Sequence, residues 1–172
     1  MPEPKSINEI NADLFQPEEV DRFADPKEAR KKAMDYLARR EYGQVELIKK
    51  LATAGFNADI AADEVARLTG DGLQSDQRFA ESFVQSRINQ GKGPVRVRQE
   101  LKERGLNPAD VEHALQDANP DWFGLALEIR IRKFGPELPP DFKEKARQMR
   151  FLRYRGFEQD HIQSAVHAHG DD

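Results

Sequence analysis

Three helix ends built to one plan recur along this chain, and they restrict its fold more than any other feature. They are Leu51-Ala52-Thr53-Ala54-Gly55-Phe56, Leu101-Lys102-Glu103-Arg104-Gly105-Leu106 and Leu152-Arg153-Tyr154-Arg155-Gly156-Phe157, and their glycines lie 50 and 51 residues apart. Each glycine stands four residues past a leucine and one before a large apolar side chain. That order suits a helix closed by a left-handed glycine, where no Cβ clashes and the next apolar residue folds back on the last turn. Beyond each glycine, apolar residues return at offsets +6 and +10, as Ala61/Val65, Val111/Leu115 and Ile162/Val166. Each pair falls on one face of a following helix. The coincidence of three such patterns predicts a repeat architecture.

A further helix is expected before each joint. The first opens at Asp25-Pro26-Lys27-Glu28, with an N-cap aspartate, a first-turn proline and a nearby glutamate, and buries Ala33, Tyr36 and Leu37. The second opens near Ser75 and buries Phe79, Ala80, Phe83, Val84 and Ile88, and the third opens at Asn119-Pro120. That third helix carries Trp122, Leu125 and Ile129 on one face and Phe123, Leu127 and Ile131 on another, which suggests a helix wedged between units. Asn107-Pro108 opens the last helix of the middle unit. The fold expected is all-α: three tandem three-helix repeats forming an elongated, curved array. Its divisions are a flexible polar leader over 1–24, repeats over 25–73, 74–118 and 119–168, and a tail over 169–172.

Composition removes several function classes. There is no cysteine, so disulfides, thiolate metal sites and thiol nucleophiles are excluded. The histidines, His113, His161, His167 and His169, form no helical pair with a glutamate of the kind zinc sites use. His161 is expected to be a solvated helix residue and Trp122 a core residue. Gly91-Lys92-Gly93-Pro94 lacks the longer glycine frame and Lys-Ser/Thr ending of a phosphate loop, so it is a turn into a helix. No cofactor is implied, and the chain is expected to bind rather than catalyse. No apolar run reaches the roughly 20 residues of a membrane helix, and Met1 to Asn11 holds no apolar signal core. A cytoplasmic protein without membrane contact is therefore expected.

The net charge of −4 hides an asymmetry. Residues 1–26 hold two basic and seven acidic groups, while 86–155 hold fifteen basic and ten acidic. A basic middle points to an anionic partner. On the helix from Pro94, Arg98 and Lys102 share a stripe apart from the Val97/Leu101 core stripe, and their own helix offers neither a carboxylate three or four residues away. Like charges at that spacing disfavour an isolated helix by about 0.2–0.5 kcal/mol, which marks the two as candidate binding residues. Glu100 is placed to pair with Arg96 and Arg104. In the third unit, Phe142, Ala146, Met149 and Leu152 make the expected core stripe, and Lys143, Arg147, Arg150 and Tyr154 make a basic stripe ending in an aromatic. Guanidinium groups suit carboxylate or phosphate forks, and a tyrosine suits stacking. Arg153 and Arg155 reinforce the field at that helix end, and Arg87, Lys92, Arg130 and Lys133 extend it.

The segments Tyr36 to Arg40, Glu46 to Leu51 with Gly55-Phe56, Asp76 to Phe83 and Gly93-Pro94 to Leu101 together resemble the RecX family, bacterial regulators of the RecA recombinase. The resemblance spans roughly 27–168 and is most specific over Phe79–Leu101. It implies a modular protein without enzymatic activity that modulates RecA, usually by inhibition, from the groove of the RecA filament on single-stranded DNA. The partner expected on this basis is the RecA filament, with the single-stranded DNA inside it as a second contact, and the chain itself a monomer. The competing expectation is a direct helix-turn-helix nucleic-acid-binding protein. The net acidic chain speaks against that alternative, because dedicated DNA-binding domains tend to be basic.

Overall fold

The computed structural model describes Met1 and residues 21–167. Most of the leader, residues 2–20, and the tail from residue 168 lie outside the described residues. Among the described residues there are nine α-helices and no strand. The first unit comprises α1 (Pro26–Leu37), α2 (Gln44–Thr53) and α3 (Ala58–Gly70); the second α4 (Asp76–Asn89), α5 (Pro94–Glu103) and α6 (Pro108–Ala118). The third comprises α7 (Trp122–Phe134), α8 (Phe142–Tyr154) and α9 (Gln159–His167). A short 3-10 turn, Arg22–Ala24, precedes them. The all-α tandem-repeat fold expected from the sequence is the fold observed.

The joints between second and third helices explain the repeat. Gly55, Gly105 and Gly156 have φ of 110°, 80° and 97°. The following N–H groups, of Phe56, Leu106 and Phe157, donate to the carbonyls of Leu51, Leu101 and Leu152 at 3.1, 3.3 and 3.2 Å. Each glycine N–H donates to the residue three before it, at 3.0 Å in all three. These paired bonds satisfy carbonyls that a helix end leaves open. Each unit then closes its own core. The first gathers Leu47, Leu51, Phe56, Val65 and Leu68, the second Phe79, Phe83, Val97, Leu101 and Leu106, and the third Ile129, Leu152, Phe157, Ile162 and Val166.

Helix starts follow the expected caps with one difference. Asp25 accepts from the Lys27 N–H at 2.9 Å, Ser75 from Arg78 at 3.2 Å and Asn107 from Ala109 at 2.7 Å. The third unit does not open at Asn119-Pro120. Asn119 instead ends α6 in the left-handed region, with φ 38°, a conformation asparagine tolerates. Asp121 caps α7 by accepting from Gly124 at 3.0 Å. Trp122 is half-buried against both the second and third cores. Phe123, expected between units, is 46% exposed.

Gly43 and Gly93 open α2 and α5 without a side-chain cap; the next unit supplies the missing acceptors. The Gln44 N–H donates to Asp76 Oδ1 at 2.7 Å, and the Gln74 amide steadies that carboxylate at 3.0 Å while donating to the Tyr42 carbonyl. At the second joint, the N–H groups of Gly93 and Val95 donate to the carbonyls of Arg155 and Gly156, both at 2.9 Å. The N-terminus of α5 thus meets the C-terminus of α8 with their dipoles aligned. A Cβ at Gly93 would lie 2.4 Å from the Gly156 backbone, which is why glycine stands there.

Candidate partner-binding surface

The structure divides the sequence-predicted cations into two sets. One set faces the protein itself. Arg87 donates to Glu100 at 2.8 Å and lies over the Phe83 ring at 4.2 Å. Lys92 and Arg96 approach the same carboxylate, each at 3.8 Å. Burial opposes ionisation of Glu100, yet the Arg87 hydrogen bond and the charges of Arg87, Lys92 and Arg96 hold its carboxyl below the usual range. Arg98, without a carboxylate on its own helix, finds two elsewhere: Glu112 of α6 at 2.7 Å and Glu158 of the third unit at 3.1 Å. Those acids raise its pKa against the opposing effect of burial. Arg98 is therefore a clamp between units. Arg104 pairs not with Glu100 but with Glu46 of the first unit, at 2.8 Å, and Glu46 also holds Arg40.

Arg155 donates to the Gln90 carbonyl across the second joint at 2.8 Å and is only partly exposed. Arg130 corrects its expected place on the surface. It is fully buried, and its guanidinium donates to the Glu137 carbonyl at 2.9 Å and to the Pro136 carbonyl at 3.4 Å. A charge in that position holds the loop between α7 and α8.

The other set faces solvent. Lys102, Lys143 and Arg150 are exposed and have no ion pair among the described residues. Arg147 is exposed too, but its fork is held by Glu144 through two bonds of 3.0 Å. That hydrogen bonding raises the Arg147 pKa and lowers that of Glu144. Arg153 donates to Gln159 at 3.0 Å, and Lys133 lies over Phe151 at 5.7 Å. Tyr154 is 74% exposed at the end of the stripe, with the Arg96 guanidinium 5.3 Å from its ring centroid. Lys143, Arg150 and Tyr154 therefore present two free cations and an open ring on one face of α8.

Two further expectations are corrected here. Phe142 is 85% exposed rather than core, and Ala146 is only partly buried and outside the third core, because α8 starts about two turns before Met149, its first residue packed on that core. His161 is buried rather than solvated: its Nδ1 accepts from the Glu158 N–H at 3.2 Å, and its ring meets Phe123 edge-on at 4.7 Å. Glu158, Asp160 and His161 bring ligand-type atoms within 4.8 Å of one another. Glu158 is held by Arg98 and His161 by the α9 N-terminus, so the trio is explained as structure. An open cleft of about 390 Å³ beside α8 is lined by Lys143, Arg147 and Arg150 but equally by Glu137, Asp141 and Glu144, so it carries no net charge for an anion. No helix of the described residues is long and apolar enough to cross a membrane. What remains is an exposed surface suited to a macromolecular partner.

Sequence reasoning missed Glu46, Asp76, Gln74 and Glu158, which join the units. The one available signal was the pair of uncapped helix starts at Gly43 and Gly93, whose N–H groups needed acceptors from somewhere.

The models of the RecX first, second and third three-helix domains match residues 29–68, 75–115 and 121–166. The regulatory protein RecX of Pseudomonas syringae pv. tomato is 46% identical over 147 residues, 86% of this chain and 95% of that protein. That of Pseudomonas putida is 44% identical over 137 residues, 80% of this chain and 88% of its own length. A crystal structure of regulatory protein RecX superposes with a TM-score of 0.72 at 22% identity, covering 96% of this chain and 80% of that one. RecX from Lactobacillus salivarius gives 0.68 at 19% identity, covering 83% and 94%. At those identities the two structures speak for the fold alone.

Proposed function

The chain belongs to the RecX family of regulatory proteins, and on that premise we propose that it is a non-enzymatic regulator that binds the RecA–single-stranded DNA filament in the cytoplasm and inhibits it. The observation that carries the filament-facing assignment is the α8 face, where Lys143 and Arg150 have no counter-ion among the described residues and Tyr154 stands open beside them. Exposed charges left unpaired by their own fold are available to an acidic protein face or to phosphate, and they steer encounter more than they stabilise the chain. Lys102 extends the same field onto the second unit. Arg98 and Arg155 serve this function indirectly by fixing the second and third units relative to each other, and Arg87 by tying α4 to α5 within the second. The filament is the primary partner, and DNA within it is a secondary contact of the same cations.

The test is RecA-driven ATP hydrolysis on single-stranded DNA with the protein added substoichiometrically. Wild type is expected to suppress hydrolysis, and the K143E/R150E variant to require at least about tenfold more protein for the same effect. Suppression that the variant retains in full would move the contact surface away from α8. No suppression by wild type, together with salt-sensitive binding to bare DNA, would replace the RecA assignment with direct nucleic-acid binding.

A further inference from the structure

Where the first and second units meet, the surface opens into a cleft of about 260 Å³. Phe79 and Phe83 of α4 form its floor, and three arginines line it: Arg40 from the first unit, Arg87 and Arg104 from the second. Ser82 and Ser86 complete the wall, four residues apart on one exposed face of α4. Neither serine hydroxyl has a hydrogen-bond partner among the described residues.

Ion pairs hold these arginines without cancelling their charge. Arg40 and Arg104 share Glu46, Arg78 takes Glu41, and Arg87, Lys92 and Arg96 share Glu100. Six cations thus divide three carboxylates, which leaves the network an excess of three positive charges. Glu41 also lines the cleft, but its carboxylate accepts from the Arg78 Nε–H at 3.1 Å.

The pairs leave donors over as well as charge. Arg87 gives Glu100 its Nε–H and Arg104 gives Glu46 one terminal N–H, each at 2.8 Å. Their other N–H groups have no hydrogen bond among the described residues. Both guanidiniums also lie over the Phe83 ring, 4.2 and 4.8 Å from its centroid. Each is therefore anchored twice before anything binds, and an anchored fork loses little entropy on meeting an oxyanion. A carboxylate has two acceptor oxygens, fewer than three guanidiniums and two hydroxyls can serve, whereas a tetrahedral phosphate presents acceptors on more sides. Phe79 and Phe83 are only 2% and 7% exposed, too little ring for a base to stack on, so the phosphate is recognised rather than its carrier.

We propose that this cleft is a phosphate-binding site, separate from the α8 face, and that a phosphate seated there ties the first unit to the second. Arg40 reaches it from one unit, and Arg87 and Arg104 from the other. A small phosphate ester and a nucleic-acid backbone present the same group to these arginines.

Proton–nitrogen correlation spectra of the full-length protein, read at the Nε–H groups of Arg87 and Arg104, test this. Inorganic phosphate, compared with sodium chloride at equal ionic strength, is expected to shift both signals saturably in wild type. S82E/S86E sets two carboxylates in the cleft from exposed helix positions and should need at least about tenfold more phosphate for half the shift. S82A/S86A removes only two donors and should weaken binding about two- to tenfold. A shift no larger than chloride produces, or one that both variants retain in full, overturns the proposal. K143E/R150E should bind phosphate here as wild type does; loss of the shift in that variant would place the phosphate on α8 and also overturn it. Thymidine monophosphate and oligothymidylate then identify the carrier. Half-saturation at equal phosphate concentration supports a small ester in the cleft, and saturation by the oligomer at about tenfold less phosphate supports a nucleic-acid backbone there.

Discussion

Glu100 turns three cations of the basic middle inward. Its side chain is 22% exposed, and Arg87, Lys92 and Arg96 converge on it from the last turn of α4, the α4–α5 turn and α5 itself. E100Q keeps the shape and removes the charge, leaving three cations facing one another. The expected loss is about 1 kcal/mol at neutral pH, a hydrogen bond to a charged group discounted for solvent screening. The folded carboxyl titrates below its unfolded value of about 4.3. Its contribution is therefore complete above that value and fades as pH falls through the lower folded value. Urea midpoints of wild type and E100Q should differ at neutral pH and converge in strong acid. A gap that persists in acid would mean packing rather than charge is what E100Q disturbs. At this scale the sequence revealed the Glu100–Arg96 pair, four residues apart on one helix. It concealed the partners of Arg98, since Glu112 and Glu158 are 14 and 60 residues away. It also concealed the burial of Arg130, because helical spacing orders charges around an axis and says nothing about which loop covers them.

At the level of the element, a glycine matters by what its missing side chain touches. G93A is expected to leave α5 itself intact and to force the second joint open, since the added Cβ would lie 2.4–2.5 Å from the backbone of Gly156 and Phe157. Neither backbone has a flexible end to move aside, so a loss of about 1–3 kcal/mol follows. Gly70 supplies the contrast: it lies in the last turn of α3 with nothing within 4 Å of an added Cβ. G70A should stabilise by up to about 1 kcal/mol through helix propensity. Thermal melts of the two variants should move in opposite directions, and movement in the same direction would show that the joint tolerates the extra atom. The helices themselves were legible wherever local chemistry decided them. Asp25-Pro26, Ser75 and Asn107-Pro108 begin helices because their side chains reach N–H groups two or three residues on. Asn119-Pro120 misled because asparagine suits a left-handed helix end as well as an N-cap, and the choice fell to Asp121. Phe142 misled for a related reason: periodicity identifies a stripe, but α8 extends beyond what its own unit covers.

For the whole molecule, the question is whether three small cores act as one. Each unit buries its own apolar cluster, while the joints are mainly backbone hydrogen bonds and ion pairs: Gln44–Asp76 and Arg104–Glu46 at the first, Gly93–Arg155 and Arg98–Glu158 at the second. Exposed ion pairs contribute at most about 1 kcal/mol each, and units of this size are marginal alone. Stability in such an array is a sum of unit terms and nearest-neighbour terms, so weak joints permit the units to part company. Trp122, the single tryptophan, packs against the second and third cores and does not contribute to the first. Its fluorescence therefore follows the second joint, whereas far-ultraviolet circular dichroism follows all nine described helices. In a urea titration the two signals should not coincide, the dichroism containing a phase from the first unit that fluorescence does not see. G93A should widen the mismatch, because it weakens the joint beside Trp122 while leaving the first unit unchanged. Coincident curves for wild type that G93A splits apart would carry a different meaning: the joints, despite their polar character, would be strong enough to make three units unfold as one. The fixed placement of the α8 face relative to the first two units would then follow from the joints and not from any single core.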